Sequence, residues 1–252
     1  MSRPFLLLQA RNHDDPMAKH EVACFRSTMG LAAADLRVLN TVDGVPSRAD
    51  IDGCCAVLMG GSGDYSSLDD QPWIHDLIAF TRNVLVLEGK PVFASCFGFQ
   101  ILVRAVGGRM IRDHAHTEMG TFDLQTTATA LSDPLFRHLG PDFTAQVGHM
   151  DRAASVPGGV HTYASSPLCP VHAIRIGHLP IWATQFHPEL DRDDLATRYL
   201  HYKDKYCPPG APTFDRSEDD PFLQALRSSE AACSLLGRFV AWVRDHELAR
   251  AA

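Results

Sequence analysis

Short, continuous apolar runs alternate with amphipathic stretches through the first hundred residues. The runs Phe5–Gln9, Leu36–Asn40, Cys54–Met59 and Pro91–Ser95 are each bounded by turn-forming residues, as parallel strands covered on both faces should be. Between them, Met17–Gly30 predicts a helix that stops at Gly30. Pro72–Leu87 places Trp73, Leu77, Phe80 and Val84 on successive turns, with Pro72 suited to the first turn. Phe97–Val106 predicts a further helix, closed by Gly107-Gly108. Strands alternating with helices imply a parallel sheet built from right-handed βαβ units.

The second half has another rhythm. Glu118–Thr127, Phe143–Gly148, His161–Ala164, His172–Ile176 and Ile181–Gln185 are short, closely spaced strand candidates, and Gly177-His178-Leu179-Pro180 predicts a turn between the last two. Such spacing adds antiparallel strands to the sheet. The tail from Leu195 reads as helical, interrupted by Cys207-Pro208-Pro209-Gly210-Ala211-Pro212, and Ala231–Val243 is an amphipathic closing helix. No repeat, low-complexity tract or linker divides the chain. The expectation is one α/β domain over residues 1–252 with a helical C-terminal extension over about 191–252.

Composition narrows the class. Lys and Arg number 23 against 30 Asp and Glu, a formal charge of -7 with no basic patch, so nucleic acid is not expected as a partner. No apolar stretch approaches the roughly 20 residues that cross a bilayer. After Met1-Ser2-Arg3-Pro4 only four apolar residues precede Gln9, too few for a secretory signal. Seven cysteines, an odd number without a C-x-x-C pair, predict reduced thiols in a cytoplasmic protein. Cys54-Cys55 lies in an apolar run and is expected in the core. His114-Ala115-His116 alternates like a ligand pair but has no third ligand at metal spacing, so a solvent-facing loop is expected, with no metal and no cofactor. Asp191-Arg192-Asp193-Asp194 suits a helix N-terminus with solvated charges. Trp182 and Phe186 are expected in the core.

The candidate chemistry centres on Pro91-Val92-Phe93-Ala94-Ser95-Cys96-Phe97-Gly98-Phe99-Gln100. A strand runs directly into a helix with Cys96 at the joint, at the carboxyl end of the sheet where open α/β folds place their sites. The helix N-terminus favours negative charge on the sulfur and on a developing oxyanion. A cysteine alone in such a run is more often a core thiol. Two further segments change the balance. In Gln185-Phe186-His187-Pro188-Glu189 a strand ends on a histidine, and a carboxylate two residues on can turn back across the proline to orient the imidazole. In Met59-Gly60-Gly61-Ser62-Gly63-Asp64-Tyr65 a glycine turn after a strand can aim backbone N–H groups into a cleft and, with the Phe97 N–H, form an oxyanion hole. That turn lacks the lysine and spacing of a phosphate loop. Asp64 and Tyr65 are candidates for the pocket wall.

Taken together, these motifs resemble the class I, triad-type glutamine amidotransferases, including the glutaminase part of GMP synthetase-like members. Gly60-Gly61 matches the family's oxyanion strand, Cys96–Gln100 its C-x-G-x-Q motif, and Gln185–Glu189 its terminal triad motif. His149-Met150-Asp151 resembles its H-x-D loop, and Glu118-Met119-Gly120 opens a strand as in its members. Order and spacing agree over roughly residues 5–190.

The resemblance implies a flavodoxin-like three-layer sandwich, mostly parallel with antiparallel additions. It implies Cys96 as nucleophile, His187 as base and later acid, Glu189 as its orienting group, and Gly61 and Phe97 as oxyanion donors. Gly60, Gln100, His149, Met150 and Asp151 are implied around the substrate. The implied reaction is attack on a γ-glutamyl amide, release of ammonia or an amine, and hydrolysis of a thioester. Ala94, Phe99 and Ser62 stand where members carry Gly, His or Met, and Pro; these departures bear on the substrate and leave the triad in place. No ATP-binding loop is visible, so either a partner synthase receives ammonia or the chain hydrolyses a small molecule alone, as γ-glutamyl peptidases do. A redox sensor or chaperone of the DJ-1 type is the alternative from another class, and a regulatory pseudoenzyme a third.

Overall fold

The computed structural model describes residues 3–206 and 219–251, so the proline-rich interruption at 207–212 lies outside the described residues. β1 (Phe5–Gln9) is central to the parallel half of the sheet, with β2 (Leu36–Asn40) on one side and β3 (Val57–Met59) on the other. Beyond β3 come β4 (Val92–Ser95) and β11 (Ile181–Thr184), both parallel. β10 (Ala173–Ile176), β9 (Val160–Ser165), β6 (Glu118–Thr126) and β7 (Asp142–His149) then continue the sheet antiparallel, nine strands in the order β2-β1-β3-β4-β11-β10-β9-β6-β7. The predicted switch from parallel to antiparallel is therefore present, at β11.

The period of β1 shows why the sheet is covered on both faces. Phe5 and Leu7 join one apolar cluster, with Phe25 of α1 (Met17–Met29) and Phe239 of α7 (Glu230–Ala251). Leu6 and Leu8 join the other, with Ile74 of α3 (Pro72–Phe80) and Ile101 of α4 (Phe97–Ala105). Successive strand residues point to opposite faces, so a strand that is buried at every position demands helices on both sides. The structure is an α/β three-layer arrangement around a mostly parallel sheet with antiparallel additions.

The boundaries differ in instructive ways. α1 ends as expected, with Gly30 at φ 63 closing the last turn. The single helix expected over Pro72–Leu87 is α3 followed by a π-helical stretch, Thr81–Val86. A short helix, α2 (Arg48–Asp52), is added before β3, capped by Ser47 and Asp50 in a reciprocal capping box. A separate two-stranded ribbon, β5 (Arg109–Arg112) with β8 (Asp151–Ser155), departs from the expected pattern: charged residues interrupt both segments. The expected loop at His149-Met150-Asp151 is thus only the joint between β7 and β8. Trp182, Phe186, Cys54 and Cys55 are core residues, as expected. Three helices follow β11 among the described residues: α5 (Arg192–Tyr206), capped by Asp191, then α6 (Pro221–Ala225) and α7. Among the described residues, no helix is long and apolar enough to cross a membrane.

Candidate active site

Cys96 stands between β4 and α4 with φ 48 and ψ -102, the one non-glycine residue with positive φ among those described. A side chain in that region costs free energy, and the surroundings must hold it there. They do so by backbone bonds. The Cys96 N–H donates to Thr184 O (2.8 Å), tying the turn to β11, and the Gly98 N–H donates to Gly60 O (3.0 Å), tying it to the glycine turn. Gly98 is required for that approach, since a Cβ there would lie 2.5 Å from Met59 Cβ and 2.7 Å from Met59 O. A sharp turn at the carboxyl end of the strand that runs straight into a helix is the geometry of a nucleophile elbow.

β11 ends one residue before Gln185, and the chain turns so that His187 lies beside the elbow. Its backbone N–H is fixed by Gln146 O (2.9 Å), and its ring Nδ1 lies 2.8 Å from Glu189 Oε1. An added Cβ on Gly61 would sit 3.0 Å from the His187 ring and 3.7 Å from Cys96 Cβ, so cysteine and imidazole flank that glycine. Burial disfavours a charged His187, yet Cys96 and Glu189 outweigh it and push its pKa up to about 9. Burial likewise opposes the Glu189 charge, but His187 and Arg198 of α5 (3.4 Å away) hold it down at about 2. Both shifts describe one tightly held carboxylate–imidazolium pair.

The glycine turn is placed differently from the expectation. The Gly61 N–H donates to Glu21 Oε1 (3.1 Å), a buried carboxylate of α1, and so is not aimed into the cleft. Glu21 is held by Arg11 Nη2 (3.0 Å) and Gln9 Nε2 (2.9 Å). Gly60 lies behind the wall; its missing side chain makes room for Glu21, which a Cβ would approach to 2.6 Å. Of the two expected oxyanion donors, the Phe97 N–H remains as a first-turn donor of α4 beside the sulfur. Sequence alone had no means of finding Glu21 or Arg11, which arrive from α1 and from the loop after β1.

The cleft in front of Cys96 is walled by Gln100 and by Gly148–Asp151, with Asp64 and Tyr65 opposite. Gln100 Nε2 reaches Asp151 O at 3.4 Å. The Asp151 carboxylate is bound by Arg112 Nε (3.0 Å) and by the Ser66 hydroxyl. Arg112 and Ser66 are cleft residues that sequence reasoning missed; no motif marks either. His149 borders the cleft, but its imidazole is 1% exposed and turned inward to Glu118 Oε2 (3.0 Å), so it braces the wall and does not offer its ring to a substrate. The described cysteines Cys24, Cys54, Cys55, Cys96, Cys169 and Cys233 are free thiols. His114-Ala115-His116 forms a single 3-10 turn at the surface.

The family described as glutamine amidotransferase class-I matches residues 32–203. A GMP synthase (glutamine-hydrolyzing) subunit of Methanosarcina acetivorans is 30% identical over 155 residues, 53% of this chain and 80% of that one. Its counterpart from Halobacterium salinarum is 30% identical over 162 residues, 61% and 80% of the two chains. A longer GMP synthase from Thermosipho melanesiensis is 32% identical over 145 residues, 58% of this chain and only 26% of that protein. In fold, the chain is similar to a glutamine amidotransferase from Thermotoga maritima (TM-score 0.72, 16% identity, 96% and 99% covered) and one from Methylobacillus flagellatus (TM-score 0.70, 22% identity, 99% and 95% covered). The matched span runs from before the glycine turn to beyond Glu189 and takes in most of the sequence: the chain belongs to the class I glutamine amidotransferase family.

Proposed function

We propose that this cleft hydrolyses the side-chain amide of glutamine through a γ-glutamyl thioester on Cys96, and that the ammonia passes to a separate synthase. The observation that carries this reading is Cys96 in a left-handed elbow beside the His187–Glu189 pair. Glu189 occupies Nδ1, which leaves Nε2 on the side of Gly148, whose carbonyl is 3.7 Å from Cys96 Sγ. His187 takes the thiol proton, and the raised proton affinity supplied by Cys96 and Glu189 favours that transfer. The thiolate attacks the amide carbon, and the Phe97 N–H and the start of α4 receive the oxyanion. The C–N bond breaks as His187 returns its proton to the leaving ammonia. Water, deprotonated by His187, then attacks the thioester; the C–S bond breaks, and glutamate leaves. Gly61 supplies a second oxyanion donor once its N–H leaves Glu21. Gln100, Met150 and Asp151, with Arg112, face the α-amino and α-carboxylate end of the substrate. The relatives from Methanosarcina acetivorans and Halobacterium salinarum, named as GMP synthase subunits, support a partner that accepts ammonia.

A γ-glutamyl peptidase would use the same atoms, so one experiment separates the two readings. The protein is offered glutamine, glutathione and γ-glutamyl amines, with and without cell extract, and is treated with diazo-oxo-norleucine. Stoichiometric labelling of Cys96 and ammonia release from glutamine, stimulated by extract, are expected. Labelling at Cys54 or Cys169 would overturn the site, and turnover confined to γ-glutamyl peptides would overturn the substrate.

A further inference from the structure

Behind the cleft wall, four side chains that the glutaminase chemistry does not use converge in the core. Glu118 opens β6, His149 closes β7, His172 lies just before β10, and Cys169 sits in the loop between β9 and β10. All four residues are buried, three of them charged or polar in type. One donor atom from each lies within 4.8 Å of the other three.

We infer that Glu118, His149, Cys169 and His172 form a binding site for one divalent cation of the zinc class. Donors at about 2.0–2.3 Å from a tetrahedral zinc are about 3.3–3.7 Å apart. Here His149 Nε2 and His172 Nε2 lie 3.0 and 2.8 Å from the same oxygen of Glu118, slightly inside that edge length. The longest separation in the cluster need close by only about 1 Å to reach it. The two imidazoles meet at 67°, with centroids 5.6 Å apart.

The support around the donors is also that of a built site. The Ser166 hydroxyl donates to Glu118 Oε1 (2.7 Å), the oxygen turned away from the imidazoles, and so fixes the carboxylate. The same hydroxyl accepts from the N–H groups of Leu168 (3.2 Å) and Cys169 (2.9 Å), and the Ser166 N–H donates to Cys169 O (2.8 Å). One serine thereby orients two of the four ligands, which is what outer contacts do at metal centres. Charge points the same way. A divalent ion with one carboxylate, one thiolate and two neutral imidazoles sums to zero, the condition a fully buried ionic group needs. A purely hydrogen-bonded core explains Glu118 but gives Cys169 no task beyond a 3.5 Å contact to Val171 O.

On binding, the Cys169 S–H proton leaves to solvent, a sulfur–metal bond forms, and each imidazole shifts its proton from Nε2 to Nδ1. The cation takes the place of the thiol proton, so affinity rises with pH. Both Nδ1 atoms are buried without a protein partner, which predicts a site weaker than one whose imidazoles are braced, by about 10- to 100-fold.

The test uses the full chain in a Cys96→Ser background, which removes the catalytic thiol from the titration. Protein stripped with a chelator is titrated with Co2+, whose near-ultraviolet charge-transfer band reports thiolate ligation. One equivalent per chain with that band is expected. Cys169→Ser should abolish the band and weaken binding at least about ten-fold. Cys24→Ser should leave both unchanged; Cys24 belongs to the partly exposed group His20, Cys24 and Asp194. X-ray absorption at the zinc edge needs no variant at the cluster and should show one sulfur and three nitrogen or oxygen neighbours. Zinc without a sulfur neighbour, a band that survives Cys169→Ser, or one lost with Cys24→Ser would overturn the site. Diazo-oxo-norleucine labelling of the unmodified protein tests the glutaminase reading separately.

Discussion

Two buried glutamates each hold imidazoles, and the two groups behave in opposite ways. At the cleft, Glu189 pairs with His187, and the histidine's pKa is pushed up to about 9. In the core, Glu118 pairs with His149 and His172; burial and the second imidazole push His149 below its ordinary value, while the two histidines and Ser166 hold Glu118 well below the carboxylate range. Burial opposes a positive ring in both places. The difference is the second partner. His187 has a second partner that favours its charge, Cys96, whereas His149 shares its single carboxylate with another imidazole. One group is built to hold a proton on its ring and the other disfavours a proton on His149. A Glu–His contact by itself therefore says nothing of function; the third group decides.

The comparison breaks most sharply at the third group. Cys96→Ser should lower kcat for glutamine by on the order of 10^6, as loss of a nucleophile does elsewhere. Ammonia release measures it, and Cys233→Ser, a thiol away from the cleft, should change it little. Glu189→Gln comes next. It leaves a group of the same shape that no longer stabilises the imidazolium, and a loss of about 10^4 in kcat is expected. The expected mark beyond lost rate is a lower His187 pKa. A His187 pKa unchanged by Glu189→Gln, read from the imidazole carbon-bound protons by NMR, would end the claim that Glu189 orients and charges the ring.

In the core group the expected losses are of stability. Glu118→Ala removes the only carboxylate from two buried imidazoles and strands Ser166, so about 3–5 kcal/mol should go, read as a lower urea midpoint. The pH dependence separates the groups further. The folded pKa of His187 is raised, so its contribution is whole below the unfolded value near 6.5 and is lost as pH rises through about 9. The pKa values of Glu118 and His149 are depressed in the fold. Their contributions are whole above the unfolded values, near 6.5 for the histidine and near 4.3 for the glutamate, and are lost as pH falls below them. Urea midpoints across pH should show an alkaline limb that His187→Ala flattens and an acid limb that Glu118→Ala flattens. Interchanged limbs would mean that the two groups have been misread.

The sequence carried the cleft group far better than the core group, for a physical reason. Cys96 and the His187–Glu189 pair each sit where a strand stops, so the apolar run, the break and the reactive residue are contiguous and visible. Phe5–Gln9 and Pro91–Ser95 showed their strands for the same reason. Gly98 is legible too, because only glycine lets α4 approach Met59 so closely. The core group is assembled from three segments between residues 118 and 172, and nothing in their spacing says that they meet. The ribbon of β5 and β8 escaped because Arg109, Arg112, Asp151 and Arg152 interrupt its apolar pattern. Glu21 escaped as well: an acid within a helix reads as solvated, whereas this one is fully buried against Arg11 and takes the Gly61 N–H. The Gly61 N–H, expected to face the cleft, is held instead by this carboxylate, which no motif announces.

The smallest effect concerns Arg198, which α5 places between Glu189 and Glu21. Its Nη1 lies 3.4 Å from Glu189 Oε1, and its Nη2 lies 3.9 Å from Glu21 Oε1. The guanidinium helps to hold Glu189 ionised and so acts on His187 only through that carboxylate. Substituting Arg198 by Met keeps the bulk of the side chain and removes the charge. A contact of this kind contributes about 1.5 kcal/mol, which corresponds to about a ten-fold fall in kcat. KM should stay level if Arg198 touches no substrate, and the His187 pKa should fall by less than in Glu189→Gln. Arg198→Lys should recover part of the rate, because the charge returns while the planar fork does not. A change in KM without a change in kcat would move Arg198 from behind the triad into the substrate site, and would make α5 a wall of the cleft as well as its brace.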